Sequence, residues 1–402
     1  VRITEIQTIR VAEFPNMLWV HIHTDEGLVG LGETFFGPAA VSSYIHESVS
    51  GYLLGKDPLL IDRHSRMLLN PILGYSSSGV EMRGTSAIDI ALWDLFGQAS
   101  NQPIHQMLGG LSRDRIRIYN TCGGYLYGRG GRVHNSTSNW GTGATGPYED
   151  LDAFMHRADE LAESLLAQGI TGMKIWPFDP AAELTDGLHI SGADLRRGLE
   201  PFAKIRKAVG DRMDIMVEMH SLWNLPTAKR IAQALEEFSP YWIEDPIKMN
   251  NLQALADFAR ATRVPVTASE TLSTRWAFRE LMEREAVGIV MLDLSWVGGI
   301  SEAKKIATMA EAHQLPIAPH DCTGPVVLVA SLHLALNAPN ALIQETVRAY
   351  LSTWYPELVT VLPRIEDGFA YPMTGPGLGT KLNPDVLRRP DATIVSSRLQ
   401  DQ

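Results

Sequence analysis

Three glutamates, Glu218, Glu244 and Glu270, follow one another at intervals of 26 residues, each closing a short apolar run. Asp293 comes 23 residues later, His320 after 27 more and Glu345 after a further 25, while Lys174 closes an earlier run 44 residues before Glu218. A polar residue ending each buried run at a nearly constant interval points to side chains that meet at one place although they are far apart in sequence. Three carboxylates brought together repel and raise one another's pKa unless a cation neutralises them. An all-oxygen set with room left for water and substrate suits Mg²⁺ better than zinc or a softer metal. A single glutamate is ordinarily a solvated surface group, so the repeat, not any one residue, makes Glu218, Glu244 and Glu270 candidate metal ligands.

Asp293 and His320 close adjacent runs. A carboxylate beside an imidazole fixes its tautomer and raises its pKa, which makes a competent general base near neutrality. His220 lies two residues beyond Glu218 and projects to the same face, because side chains alternate along a strand. Acid, substrate hydrogen-bond donor and packing residue all remain open for it. Lys174 is a cation at an anionic mouth, fit to hold a substrate carboxylate and share developing charge.

The elements that must position these groups follow from the pattern. β-rich runs at 116–122, 171–176, 214–220, 241–245, 264–270, 288–294, 316–320 and 342–346 alternate with helix-period segments such as 151–168, 226–238, 271–284 and 301–313. Eight strands, each followed by a helix or connector, predict a (β/α) barrel, whose strand C-termini converge on one mouth. Residues 348–402 offer no full eighth helix, and we expect them to return to the N-terminal module. That module, residues 1–113, reads as α+β: strands at 1–13 and 17–34 precede a helical period centred on 86–96. The barrel is placed at 114–347. Residues 123–150 separate the first barrel strand from its helix, far more than the usual connection of about two to six residues. Their tyrosines, tryptophan, arginines and histidine suit a lid over the mouth.

The chain has 402 residues, 45% of them hydrophobic and 20% charged, with a net charge of −11. Disorder is excluded by this composition, and the acidity argues against a nucleic-acid or anionic-membrane surface. Two cysteines are too few for a disulfide framework or zinc cluster. The stretch from Cys322 to Gln344 lacks Asp, Glu, Lys and Arg but is broken by Gly324, Pro325, Asn337 and Pro339, which predicts a buried helix and not a membrane span. The opening residues alternate as a strand does and lack the pattern of a signal peptide, so a cytoplasmic location is expected.

With these residues in view, the chain resembles the enolase superfamily and, within it, the mandelate racemase subgroup. The resemblance covers nearly the whole chain through an ordered set of segments: SAIDIALWDLFGQASNQPIHQMLGG at 86–110, TGMKIW at 171–176, VEMH at 217–220, WIEDP at 242–246, ASET at 268–271, LDLSWVGGISEA at 292–303, APHD at 318–321 and GPGLG at 375–379. It implies an N-terminal α+β capping domain on a modified TIM barrel, (β/α)₇β, completed by the C-terminal segment. It further implies Mg²⁺ on Glu218, Glu244 and Glu270, His320–Asp293 as base dyad, and Glu345 hydrogen-bonded to the substrate carboxylate. The chemistry implied is proton abstraction beside a carboxylate with an ene-diolate intermediate. Homo-oligomers, dimers or octamers, are expected on the same ground.

Two departures narrow the reaction. Racemases of this type carry Lys-x-Lys on the second barrel strand, whereas here Lys174 is followed by Ile175 and Trp176, and tryptophan cannot take a proton. Asp293 stands where the muconate-cycloisomerase and enolase branches carry lysine. Glu218 with His220 replaces the commoner Asp and Asn and resembles sugar-acid dehydratases. The expectation is therefore a hydro-lyase acting on a small aldonic or aldaric acid, with an epimerase or racemase as the alternative and a non-catalytic metal and sugar-acid binding protein as a remote one.

Overall fold

A computed structural model describes residues 1–70, 78–127, 146 and 148–399. The expected lid lies largely outside these residues. Near the N-terminus, strands β1 (Ile3–Val11), β2 (Met17–Thr24) and β3 (Val29–Phe35) form an antiparallel meander. The 21-residue helix Val80–Ser100 packs on β3 so closely that a Cβ on Gly32 would lie 1.9 Å from the Ala87 carbonyl oxygen. Glycine at position 32 is what allows this approach.

Eight strands then make the barrel: β4 (Ile116–Thr121), β5 (Gly172–Ile175), β6 (Asp214–Glu218), β7 (Trp242–Glu244), β8 (Val266–Ala268), β9 (Ile289–Leu292), β10 (Ile317–Pro319) and β11 (Gln344–Thr346). Neighbours from β4 to β10 pair in parallel, β11 pairs in parallel with β4, and a bridge between Ile317 and Ala341 joins the remaining edge. All eight strands fall within the expected runs.

The helical connections follow the apolar periodicity. Leu225–Leu235 is typical: Ala228, Ile231, Ala232 and Leu235 bury one stripe, and the Asn224 side chain accepts from the Thr227 N–H at its start. The expected helix over 151–168 is instead two, Asp150–His156 and Ala158–Leu166, broken at Arg157. The first is pinned by Asp150, buried in a two-pronged ion pair with Arg348 at 2.6 and 2.7 Å; the second packs along the helix Gly192–Val209. Helix Pro325–Asn337 is buried on every side, which explains its freedom from charge.

Beyond the barrel, the short strands β12 (Ile365–Glu366) and β13 (Phe369–Ala370) form a hairpin that adds antiparallel to the start of β4. The strand β14 (Ala392–Arg398) pairs antiparallel with β1 along its length, so β1 lies between β14 and β2. No helix among the described residues is long and apolar enough to cross a membrane.

Candidate active site

Strand alternation sorts the barrel interior into two tiers. The lower is apolar: Tyr119, Met216, Trp242, Ile289, Met291, Ala318 and Ile343 form one buried cluster. Two residues further along the same strands stand Thr121, Glu218, Glu244, Asp293, His320 and Glu345, with Lys174 on β5. The polar groups therefore rest on a packed floor at the C-terminal ends of the strands. Trp242 links the tiers by donating its indole N–H to Glu244 at 3.0 Å.

Eight residues singled out by spacing are brought together here. Lys174, 2% exposed, lies 2.7 Å from Glu244, 2.9 Å from Glu345 and 3.6 Å from Glu218. Burial opposes its charge, but these carboxylates outweigh burial and hold its pKa well above the ordinary lysine value. Glu345 is fully buried; it accepts from the Thr121 hydroxyl and from the Asp321 N–H at 2.9 Å, besides Lys174. Its Oε2 lies 4.0 Å from His320 Nε2.

Two histidine–carboxylate pairs flank the cluster. His320 Nδ1 is 2.7 Å from Asp293, and its Nε2 is 2.9 Å from Glu270. Asp293 is in turn fixed by the N–H and hydroxyl of Ser295, at 2.7 and 2.5 Å. His220 Nδ1 meets Asp179 at 2.7 Å, leaving Nε2 for the cavity, and the His220 N–H donates to Glu218 at 2.6 Å. Burial lowers the His220 pKa, yet Asp179 and Glu218 raise it on balance to about 9. His220, Ser221 and Asp245 all adopt left-handed backbone, φ 47°, 58° and 40°. Conformations unfavourable for such side chains, concentrated at one rim, are characteristic of functional sites.

Asp179 was not marked by the spacing, because it begins the helix Asp179–Thr185 that follows β5 and closes no strand. Asp245, beside Glu244 and bonded to Ser269 at 2.7 Å, escaped because the 26-residue interval falls on Glu244.

The donor set fits a hard divalent cation. One oxygen from each of Glu218, Glu244 and Glu270 lies within 4.8 Å of the others, about twice a cation–oxygen distance of roughly 2.0–2.6 Å. Burial and the adjacent Glu218 push Glu244 well above the usual carboxylate range, the mark of anions short of positive charge.

Above the cluster is a cavity of about 250 Å³. Trp176 and Tyr127 wall one part of it, and Trp296, Phe35 and Phe36 another. The capping domain supplies the two phenylalanines from the end of β3. Phe14, in the loop between β1 and β2, and Met17, the first residue of β2, stand with Phe35 in a crevice behind that wall.

A barrel with histidine–carboxylate pairs and a carboxylate cluster at its C-terminal mouth, joined to an N-terminal α+β domain, has the two-domain architecture of enolase-type enzymes. Comparison with known proteins agrees. The family model for the enolase C-terminal domain-like fold matches residues 157–386, and that for the mandelate racemase / muconate lactonizing enzyme N-terminal domain matches residues 6–109. The chain belongs to this family of the enolase superfamily. It is 30% identical to a D-galactonate dehydratase from Pectobacterium atrosepticum over 393 residues, 96% of this chain and 93% of that protein. An enolase of the mandelate racemase subgroup from Agrobacterium tumefaciens shares 53% identity and a TM-score of 0.88, covering 99% of each chain. An enolase protein from Sargasso Sea environmental sequencing shares 46% identity and a TM-score of 0.88, covering 100% of each.

Proposed function

We propose that the protein is a Mg²⁺-dependent dehydratase of a sugar acid, converting a 2,3-dihydroxy carboxylate into a 2-keto-3-deoxy acid and water. The observation that carries this reading is the pair of histidines, His320 on Asp293 and His220 on Asp179, on either side of the carboxylate cluster. Elimination needs a base for carbon 2 and an acid for the hydroxyl leaving carbon 3. Trp176 occupies the strand position where opposed-base racemases carry a second lysine. The 30% identity to a D-galactonate dehydratase supports the same reading.

Glu218, Glu244 and Glu270 would hold the cation, which when bound supplies positive charge to the substrate carboxylate as that group takes up the electrons of the broken C–H bond. Lys174 adds a fixed ammonium for the same carboxylate, kept charged by Glu244 and Glu345. His320 Nε2 takes the carbon-2 proton while Asp293 retains its hold on Nδ1 and stabilises the imidazolium. The carbon-3 hydroxyl departs as water on receiving a proton from His320 on the same face or from His220 across the site. The resulting enol ketonises at carbon 2 and gains its proton at carbon 3.

The test is incubation with Mg²⁺ in deuterated water against a panel of aldonic and aldaric acids, followed by proton NMR. Loss of the carbon-2 signal with new 3-deoxy methylene signals is the expected result. Carbon-2 exchange with inversion and no methylene would replace dehydration by epimerisation, with His220 as second base. His320→Asn should slow exchange by about 10²–10⁴-fold while leaving substrate binding in place. Near-normal turnover in that variant would remove His320 from the role.

A further inference from the structure

We infer that Glu33, in the capping domain, is a positioning residue for the His320–Asp293 pair of the barrel. The inference rests on the reading of His320 as base. Glu33 lies near the end of β3 and is 1% exposed. Its Oε1 accepts the N–H groups of Val326 and Val327, at 3.1 and 2.9 Å, and its Oε2 accepts the Trp19 indole N–H at 2.7 Å. Val326 and Val327 are in the first turn of helix Pro325–Asn337, where N–H groups have no partner within the helix and Pro325 has none to offer. The capping domain thus completes the start of a barrel helix.

That helix begins five residues after His320. The connecting loop is held at its beginning by the His320 N–H on the Leu292 carbonyl, 3.0 Å, and one residue later by the Asp321 N–H on Glu345. Glu33 holds its far end. Gly324 permits this approach, since a Cβ there would lie 2.3 Å from Glu33 Oε1.

The next two residues of the same strand hold the other half of the pair. The Thr34 hydroxyl donates to the Ser295 carbonyl at 2.9 Å, and the Trp296 indole N–H donates to the Phe35 carbonyl at 3.0 Å. Ser295 is the residue whose N–H and hydroxyl fix Asp293. Trp296 itself stacks on His320, with ring centres 5.7 Å apart, and Phe36 stacks on Trp296 at 5.8 Å. Three consecutive residues of one capping strand therefore grip the loop carrying the base and the loop carrying its carboxylate. Burial lifts the Glu33 carboxyl to about 8, so the residue occupies its place at a cost to folding that an apolar side chain would avoid.

The experiment uses the full-length protein with Mg²⁺. Glu33→Ala removes the acceptor. A double variant, Glu33→Gln with Trp19→Phe, keeps an oxygen for Val326 and Val327 and removes the indole N–H that would face the new amide nitrogen. Carbon-2 exchange is measured as kcat and KM, and the His320 ring-nitrogen resonances are followed without substrate in ¹⁵N-histidine protein, assigned through His320→Asn. Displacements of about 1 Å near reacting atoms cost on the order of 10²-fold, so Glu33→Ala should lower kcat at least about tenfold, leave KM within about threefold and shift the His320 resonances. The double variant should recover kcat to within about threefold of the parent on the same argument. A Glu33→Ala protein that melts earlier but keeps its kcat and its His320 resonances overturns the proposal. Should that variant fail to fold, Gly324→Ala puts a Cβ against Glu33 Oε1 and displaces the same contact, and unmoved kcat and His320 resonances there overturn it equally. If the parent exchanges carbon 2 of no acid, the dehydratase reading fails, and the resonances still decide whether β3 positions His320.

Discussion

Lys174 holds together a group of anions that would otherwise not share a dry space. Glu218, Glu244 and Glu345 all lie within 3.6 Å of its ammonium, and none is more than 2% exposed. Replacing one partner of a buried ion cluster strands the others, at about 3–5 kcal/mol. Lys174→Met should lose stability of that order in urea without divalent ions. Mg²⁺ at a hundredfold excess over its Kd adds about 2.7 kcal/mol to a folded state that alone binds it, so added Mg²⁺ should recover much of the loss. A loss below about 1 kcal/mol in metal-free buffer would mean the cluster is not coupled through this lysine. The residues of this cluster were legible in the sequence because a barrel strand recurs at a steady interval and its last inward residue is polar. Asp179 and Glu33 were not legible. Asp179 reaches His220 across 41 residues from the start of a helix, and Glu33 reaches Val326 across 293 from another domain, contacts with no period to read.

At the level of elements, the glycine pair between β9 and helix Gly299–Ala312 shows how cap and barrel are joined. Gly298 and Gly299 have φ of 114° and 76°, and a Cβ on Gly299 would lie 2.3 Å from Asp89 on helix Val80–Ser100. Asp89 accepts the Ser301 N–H at 2.9 Å, completing the start of the next barrel helix as Glu33 does for its own. Gly299→Ala combines a left-handed alanine, about 1–2 kcal/mol, with loss of that buried hydrogen bond, about 1–3 kcal/mol. A fall of about 2–5 kcal/mol in urea stability is expected, with Asp89→Asn milder. An unchanged midpoint would show that the backbone there relaxes freely. Helix existence was readable from apolar periodicity, as for 86–96. The break at Arg157 was not, because the apolar stripe continues through it.

Across the whole molecule, His333 ties three regions: it lies on helix Pro325–Asn337, its Nε2–H donates to the Leu378 carbonyl at 3.1 Å, and its Nδ1 accepts from the His105 N–H at 3.2 Å. Burial holds its pKa down to about 3, whereas an unfolded histidine titrates near 6.5. Between these values the unfolded chain binds the extra proton, so this contribution to stability is complete above about pH 6.5 and is lost as pH falls, by about 1.4 kcal/mol per unit. Asp89 and Asp94, raised by burial to about 7, act in the opposite direction over much of the same range. The difference between the parent and His333→Asn isolates the histidine: the variant's urea stability should fall less steeply between pH 6 and 4. Parallel slopes would place the protonation elsewhere.

The pairing of β14 with β1 has a consequence for synthesis. The two partners are separated by nearly the entire chain, from Val11 to Ala392, and ribosomes add about 5–20 residues per second. For roughly 20–80 s after β1 emerges, it can pair only with β2, and its other edge stays open to the surroundings. The cap that shapes the catalytic rim therefore reaches its final form last, after the barrel it covers, and a nascent chain stalled before residue 392 would expose a ready template for mispairing with its neighbours on the same polysome.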